Sequence, residues 1–282
     1  MQEKMKFDLS IIDWDLVAKA LASVDLPDFD RDEVSERIVE ATKRYAPYDT
    51  ANLSIQGIEE RFEFERGKGF IDLWGFEKNI TLKIVDWKTT GSITDAWEFR
   101  ESNSEQGLWY VHALKSLRPE IDISNGVSFE IRGVSRSGGV FKSLHRKISL
   151  DEILFHDVNQ SRWMAAKDAY IEKYGWNDVY GWPRAFPSAC RPFGPKYPCE
   201  FYEACENNRP KLYEIGDLPV RSLNSYSSEK EFQRCPERYR NLALKKTLGL
   251  YDEDEDLATL WGKAFHAGVA EVWKQLKELK ND

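Results

Sequence analysis

The sequence predicts an α/β protein, a central sheet flanked by helices, and three observations predict it. Period-two alternation of apolar residues marks strands near 53–64, across Gly69–Thr90, and over 127–134 and 140–150. Helical spacing of apolar residues marks 8–22, 32–45, 104–117, 157–174 and a last helix opening near Leu260. The 282 residues, 41% hydrophobic and 31% charged, supply enough apolar side chains for a sizeable core and exclude a disordered chain. No run approaches the length of a membrane span and no apolar signal-peptide stretch opens the chain, so a cytoplasmic protein without a membrane partner is expected.

In chain order, the first helix has Asp13 or Asp15 near its start and an apolar face of Leu16, Val17, Ala20 and Leu21. The second carries Val34, Ile38, Val39 and Ala41. The strand from Leu53 places Ile55, Gly57 and Glu59 on one side and Ile58, Glu60, Phe62 and Phe64 on the other. Gly69–Thr90 then reads as two strands and a turn near Gly75–Asn79. On its second strand Ile80, Leu82, Ile84, Asp86 and Lys88 share one face, and Thr81, Lys83, Val85 and Trp87 the other. Asp72, fourteen residues before Asp86, returns to the same place through the hairpin. Burying unpaired charge is expensive, so charges ending an apolar ladder need partners. Two carboxylates and an ammonium suit a divalent cation and an anionic substrate. A surface hairpin with solvated ends is the plainer alternative.

After a polar loop, the 104–117 helix sets Gln106 and Tyr110 four apart on one face. The next two strands, joined by a Ser-Gly-Gly turn, carry Arg132, Arg136, Lys142, Arg146 and Lys147. That cluster fits a phosphate backbone and equally fits protection of an edge strand by charge. The net charge of −8 argues mildly against a nucleic-acid coat protein but not against an enzyme with a local basic groove. Cys190, Cys199 and Cys205 cluster in a Pro-, Gly- and aromatic-rich stretch, and Cys235 follows in FQRCPERYR. Without an export signal these are not expected to be two disulfides. Cys-x8-Cys-x5-Cys is not the paired spacing of a zinc ribbon; a thiolate-held iron–sulfur cluster fits better, with a four-cysteine zinc site left open.

The succession Asp72, Asp86-x-Lys88, then Gln106-x-x-x-Tyr110 resembles the RecB-like branch of the PD-(D/E)xK nucleases. Cys235-Pro236-Glu237-Arg238-Tyr239 is similar to the Cys-Pro-x-x-Tyr motif of AddB-type members and of nucleases that accompany CRISPR adaptation, which hold a [4Fe–4S] cluster. Gly262-x-x-x-His266 resembles the motif whose His is a metal ligand there. A family glutamate on the strand before the first Asp aligns with Glu59, with Glu60 as the slip-by-one alternative. The motif order differs from the family's: the Cys-Pro-x-x-Tyr and Gly-x-x-x-His motifs come last instead of first. Joining residue 282 to residue 1 restores the order, so the chain resembles a circular permutant, with 206–220 linking the old ends. Two partial domains completed by a swap are the competing explanation.

The resemblance implies one nuclease domain over 1–282: helices and catalytic sheet in 1–175, a cysteine-rich loop in 176–210, and a segment in 221–282 that is N-terminal in the family. It implies a mixed sheet and an iron–sulfur subdomain tying Cys190, Cys199 and Cys205 to Cys235. Mg²⁺ or Mn²⁺ would be held by His266, Asp72, Asp86 and the Trp87 carbonyl, with Lys88, Gln106, Tyr110 and Glu59 in supporting catalytic roles. The implied activity is hydrolysis of DNA, as an exonuclease on single strands or free ends, in repair, recombination or phage and CRISPR DNA processing, with a helicase or recombination partner. The alternatives are a non-catalytic DNA- or partner-binding module and a zinc-stabilised structural protein.

Overall fold

A computed structural model of the chain describes residues 9–24, 31–46, 53–64, 67–78, 80–136, 139–176, 182, 199, 201, 220, 226–248 and 257–281. Five strands form one mixed sheet in the order β1 (Leu53–Phe64), β2 (Gly67–Glu77), β3 (Thr81–Thr90), β4 (Val127–Ser135) and β5 (Phe141–Ile148). β2–β3 and β4–β5 are antiparallel, whereas β3 and β4 run parallel and need a crossover. The chain between them supplies it as α3 (Asp95–Ser102) and α4 (Gln106–Leu117). The other described helices are α1 (Trp14–Ala22), α2 (Arg31–Tyr45), α5 (Leu150–Tyr174), α6 (Tyr226–Arg234), α7 (Pro236–Thr247) and α8 (Leu257–Asn281). Among the described residues no helix is long and apolar enough to cross a membrane.

The chain divides into two compact units, the first Met1–Phe62, Gly69–Ile153 and Asp254–Asp282, the second Glu63–Lys68 and Leu154–Glu253. In the first unit one sheet face is buried under α1, α2 and α8: Leu73, Val85 and Trp87 pack with Val17, Leu21, Ile38, Phe265 and Trp273. The opposite face meets α4, where Tyr110 sits edge-on to Phe62 and Phe129, and an added Cβ at Gly107 would lie 2.5 Å from the Phe129 ring. The C-terminal helix is tied to N-terminal elements of the same chain. Gln275 bonds the backbone of Asp13 in both directions, and Trp273 Nε1 donates to the Ala46 carbonyl. In the second unit Trp182, Phe232 and Tyr239 are buried with Tyr170 and Trp176 against them.

Several boundaries differ from the sequence-based expectation. Asp13 caps α1 by accepting from the Asp15 and Leu16 amides, so the helix starts later than residue 8. Leu16, expected on its apolar face, is 43% exposed. The polar stretch after Thr90 contains α3, capped by the Thr94 hydroxyl and anchored by buried Trp97. The β2–β3 turn lies beyond Glu77, so Gly75 is inside the strand, where its added Cβ would be 2.2 Å from the Ser54 carbonyl oxygen. Ile80 falls before β3 and is exposed. Helix α5 opens seven residues earlier than residue 157, at Leu150. From Leu154 the chain lies in the second unit with 226–248, where Tyr170, Trp182 and Tyr239 share an aromatic cluster, while 257–281 lies in the first unit with the sheet.

Candidate metal centre

Antiparallel pairing of Leu73 with Val85 places Asp72 opposite Asp86 one step further along the hairpin. Glu59 arrives from β1 with φ 47°, a left-handed conformation that breaks regular alternation. His266 arrives from α8. Gly262, one turn before it, lets that helix close on β3: an added Cβ would lie 2.8 Å from Thr89 Oγ1. His266 Nδ1 consequently stands 3.5 Å from Asp72 Oδ2 and 3.7 Å from Glu59 Oε1. One ligand atom from each of Glu59, Asp72 and His266 lies within 4.8 Å of the others. Such a set can close on one divalent ion at about 2.0–2.2 Å per ligand.

The electrostatics fit a cation as well. Burial, reinforced by the Asp86 and Glu59 carboxylates, pushes the Asp72 carboxyl up to about 7, against the pull of His266 and the Trp87 amide. Burial alone would lower His266, but Asp72 and Glu59 raise it to about 9. Protons thus gather where carboxylates crowd, as expected for a site short of positive charge. Trp87 meets this group through its backbone N–H, which donates to Asp72 Oδ2 at 2.7 Å.

Asp86 is held from two sides. Its Oδ1 accepts from Tyr110 OH at 3.0 Å and Gln106 Nε2 at 3.2 Å, and Gln106 also reaches Tyr110 OH at 2.6 Å. Its Oδ2 faces Lys88 Nζ at 2.8 Å. Burial opposes the charge on Lys88, but the Asp86 carboxylate keeps its pKa above the usual lysine value. Burial first, and then the same carboxylate, raises Tyr110 well above a free phenol. Of the two glutamates left open by the strand pattern, Glu59 joins the metal group. Glu60 instead binds Trp74 Nε1 and Arg118, so its role is to pack β1.

The group opens into a cleft of about 950 Å³ that also takes in Phe70, Arg136, Lys263 and Lys274. The basic cluster expected to follow nucleic acid is therefore dispersed. Arg132 is fully buried and bound to Glu130 at 2.8 and 3.1 Å, so it cannot reach a phosphate. Lys142 pairs with Glu98, and Arg146 with Glu152 and the Ser104 carbonyl. Of the five arginines and lysines singled out there, Arg136 alone lines the cleft. Lys83 and Glu130, unremarked in the sequence, form the buried pair around which Arg132 is arranged; two opposite charges on adjoining strands are the only signal that points to them.

In the second unit Cys235 is buried and precedes α7, and Arg238 Nη1 donates to Cys199 Sγ at 3.1 Å from the first turn of that helix. Both cysteines are free thiols; Cys190 and Cys205 lie outside the described residues. Among the described residues no cysteine joins a group of potential metal ligands. Comparison with protein-family models finds no match, and comparison with curated proteins finds none either.

Proposed function

We propose that the chain is a metal-dependent DNA nuclease of the PD-(D/E)xK type, similar to the RecB-like branch in permuted order, acting as an exonuclease. The observation that carries this reading is the meeting of Glu59, Asp72 and His266 beside an Asp86–Lys88 pair that Gln106 and Tyr110 hold in place. Asp72, His266 and Glu59 would hold Mg²⁺ or Mn²⁺, with Asp86 as a further carboxylate beside them. The bound ion supplies Lewis-acid polarisation of the scissile phosphate and a lowered pKa for the attacking water. Lys88 would orient the attacking water and neutralise charge growing on the phosphate oxygens. Gln106 and Tyr110 bind Asp86 Oδ1 and so fix the carboxylate that faces Lys88 through Oδ2. Arg136 and Lys263 offer cationic contacts to the flanking backbone.

The four cysteines are proposed to hold a [4Fe–4S] cluster. The support in the second unit is that Arg238 brings the Cys199 sulfur to the helix that begins at Cys235, and hydrogen bonds to sulfur are a recognised means of tuning such centres. Anaerobically purified protein should be brown with about four irons per chain. Replacing any one of Cys190, Cys199, Cys205 or Cys235 should bleach it; a colourless protein with one zinc would replace the cluster by a structural zinc. The activity itself is tested with end-labelled linear and closed circular DNA in Mg²⁺, Mn²⁺ or EDTA. Metal-dependent loss of linear DNA alone is the expected result. DNA binding without cleavage under any metal would favour a non-catalytic module of a helicase–nuclease assembly.

A further inference from the structure

Phe70 is out of place for a packing residue. It lies on β2 and is 55% exposed, whereas its neighbours Ile71, Leu73 and Trp74 are buried. It shares a strand face with Asp72, two residues on, about 7 Å along the strand. It lines the same cleft as the metal group, with Arg136 and Lys263 also on that wall. A lone exposed aromatic on a surface needs no explanation. One beside a group of candidate metal ligands, in a cleft that also carries cationic side chains, is placed to touch whatever binds there.

We propose that Phe70 is a base-stacking platform, the side chain through which the cleft holds an unstacked base of its substrate. The proposal rests on the nuclease reading of the site and names the side chain behind the expected preference for single strands or free ends. In a duplex both faces of an internal base are covered by its neighbours, so only an unstacked base can offer a face to the Phe70 ring. With a phosphate bound in the cleft beside the metal group, the base of an adjoining nucleotide would lie toward Phe70, two residues of strand from Asp72. Arg136 and Lys263, which also line the cleft, would meet the backbone without reading sequence. Stacking is tolerant of base identity, so little sequence preference follows.

The test compares wild type, Phe70→Ala and Phe70→Trp as full chains, on a labelled 20-nucleotide oligo-dT, and on a blunt hairpin duplex of the same length. kcat/KM is measured in Mg²⁺ and binding by anisotropy in Ca²⁺. Phe70→Ala should lose on the order of ten- to a hundred-fold in affinity and kcat/KM on oligo-dT, mainly through KM, with thermal stability unchanged. Phe70→Trp should retain or exceed wild-type values. Wild-type cleavage with no loss in Phe70→Ala, an equal loss on both substrates, or no recovery in Phe70→Trp overturns the stacking role while the nuclease reading stands. A wild type that neither binds nor cuts either DNA removes the nuclease reading itself, and this inference with it.

Discussion

Two groups of charge share strand β3 and behave in opposite ways. On β3, Lys83 belongs to one face and Asp86 and Lys88 to the other, because residues alternate. Around Lys83 every charge is answered: Glu130 binds Lys83 at 2.9 Å, Arg132 through both oxygens and the Ser143 hydroxyl at 2.6 Å, and Glu77 closes on Lys83 at 2.7 Å. Arg132 also lies over the Trp87 ring. Burial would raise Glu130, yet Arg132 and Lys83 hold it down to about 2. At the other group the balance is reversed. Glu59, Asp72 and Asp86 face one histidine and one lysine, and Asp72 is driven up to about 7. Around Glu130 matched charges build structure, whereas the excess of carboxylate around Asp72 leaves a place for a ligand.

The contrast breaks most visibly in activity. Asp86→Ala and Lys88→Ala should each lower DNA cleavage by at least about 10²–10³-fold, with folding and most DNA binding retained. Circular dichroism, anisotropy and the linear-DNA assay read the three together; full activity in either variant would sink the assignment. Glu130→Ala should do the reverse. It removes the buried carboxylate that answers Arg132 and Lys83, leaving Lys83 its contact with Glu77, and is expected to destabilise by about 3–5 kcal/mol in urea unfolding.

Asp72→Asn sharpens the comparison. It removes an unmatched carboxylate while an amide oxygen can still accept the Trp87 N–H, so metal-free protein at pH 8 should gain on the order of 1–3 kcal/mol while cleavage is lost. The sign follows from linkage. Asp72 rises from 3.8 to about 7, so the folded state holds its proton longer and metal-free stability falls as pH climbs through that interval. His266 rises from 6.5 to about 9; its contribution is present below 6.5 and is lost as pH passes 9. Metal-free wild type should therefore lose melting temperature steadily from pH 5 to 9, and the rise on adding Mn²⁺ should grow over the same range, because the metal competes with those protons. A flat profile counts against this account. The smallest effect is expected for Gly262→Ala, which pushes α8 from Thr89. It should cost about 1 kcal/mol of stability but weaken Mn²⁺ binding several-fold, because His266 moves with the helix.

Much of the sheet is legible in the sequence, since period-two runs and the β2–β3 turn are local features. The two faces of β3 are likewise legible, and Val85 and Trp87 do enter the helix-covered core while Asp86 meets α4. Helix α3 is missed because its anchoring residue, Trp97, is apolar in a polar segment, and its partner Gly133 is remote in sequence. The dispersal of the basic cluster is missed for a similar reason: Arg132 and Lys142 occupy alternate residues of paired strands, and only the fold says which side has a carboxylate waiting.

By itself the sequence determines that Asp72, Asp86 and Lys88 can share one strand end, because hairpin pairing and alternation act over a few residues. It also determines that Gln106 and Tyr110 share a helical face. The tertiary structure alone decides which glutamate enters the site, since the left-handed backbone at Glu59 cancels the alternation that would have chosen between it and Glu60. It alone brings His266 across nearly two hundred residues of chain to Asp72, through a glycine contact with Thr89 and the packing of α8 on α1 and α2. The physical reason is range: turn geometry and side-chain period are properties of neighbouring residues. Charge balance in a buried site depends on which distant elements the core draws together.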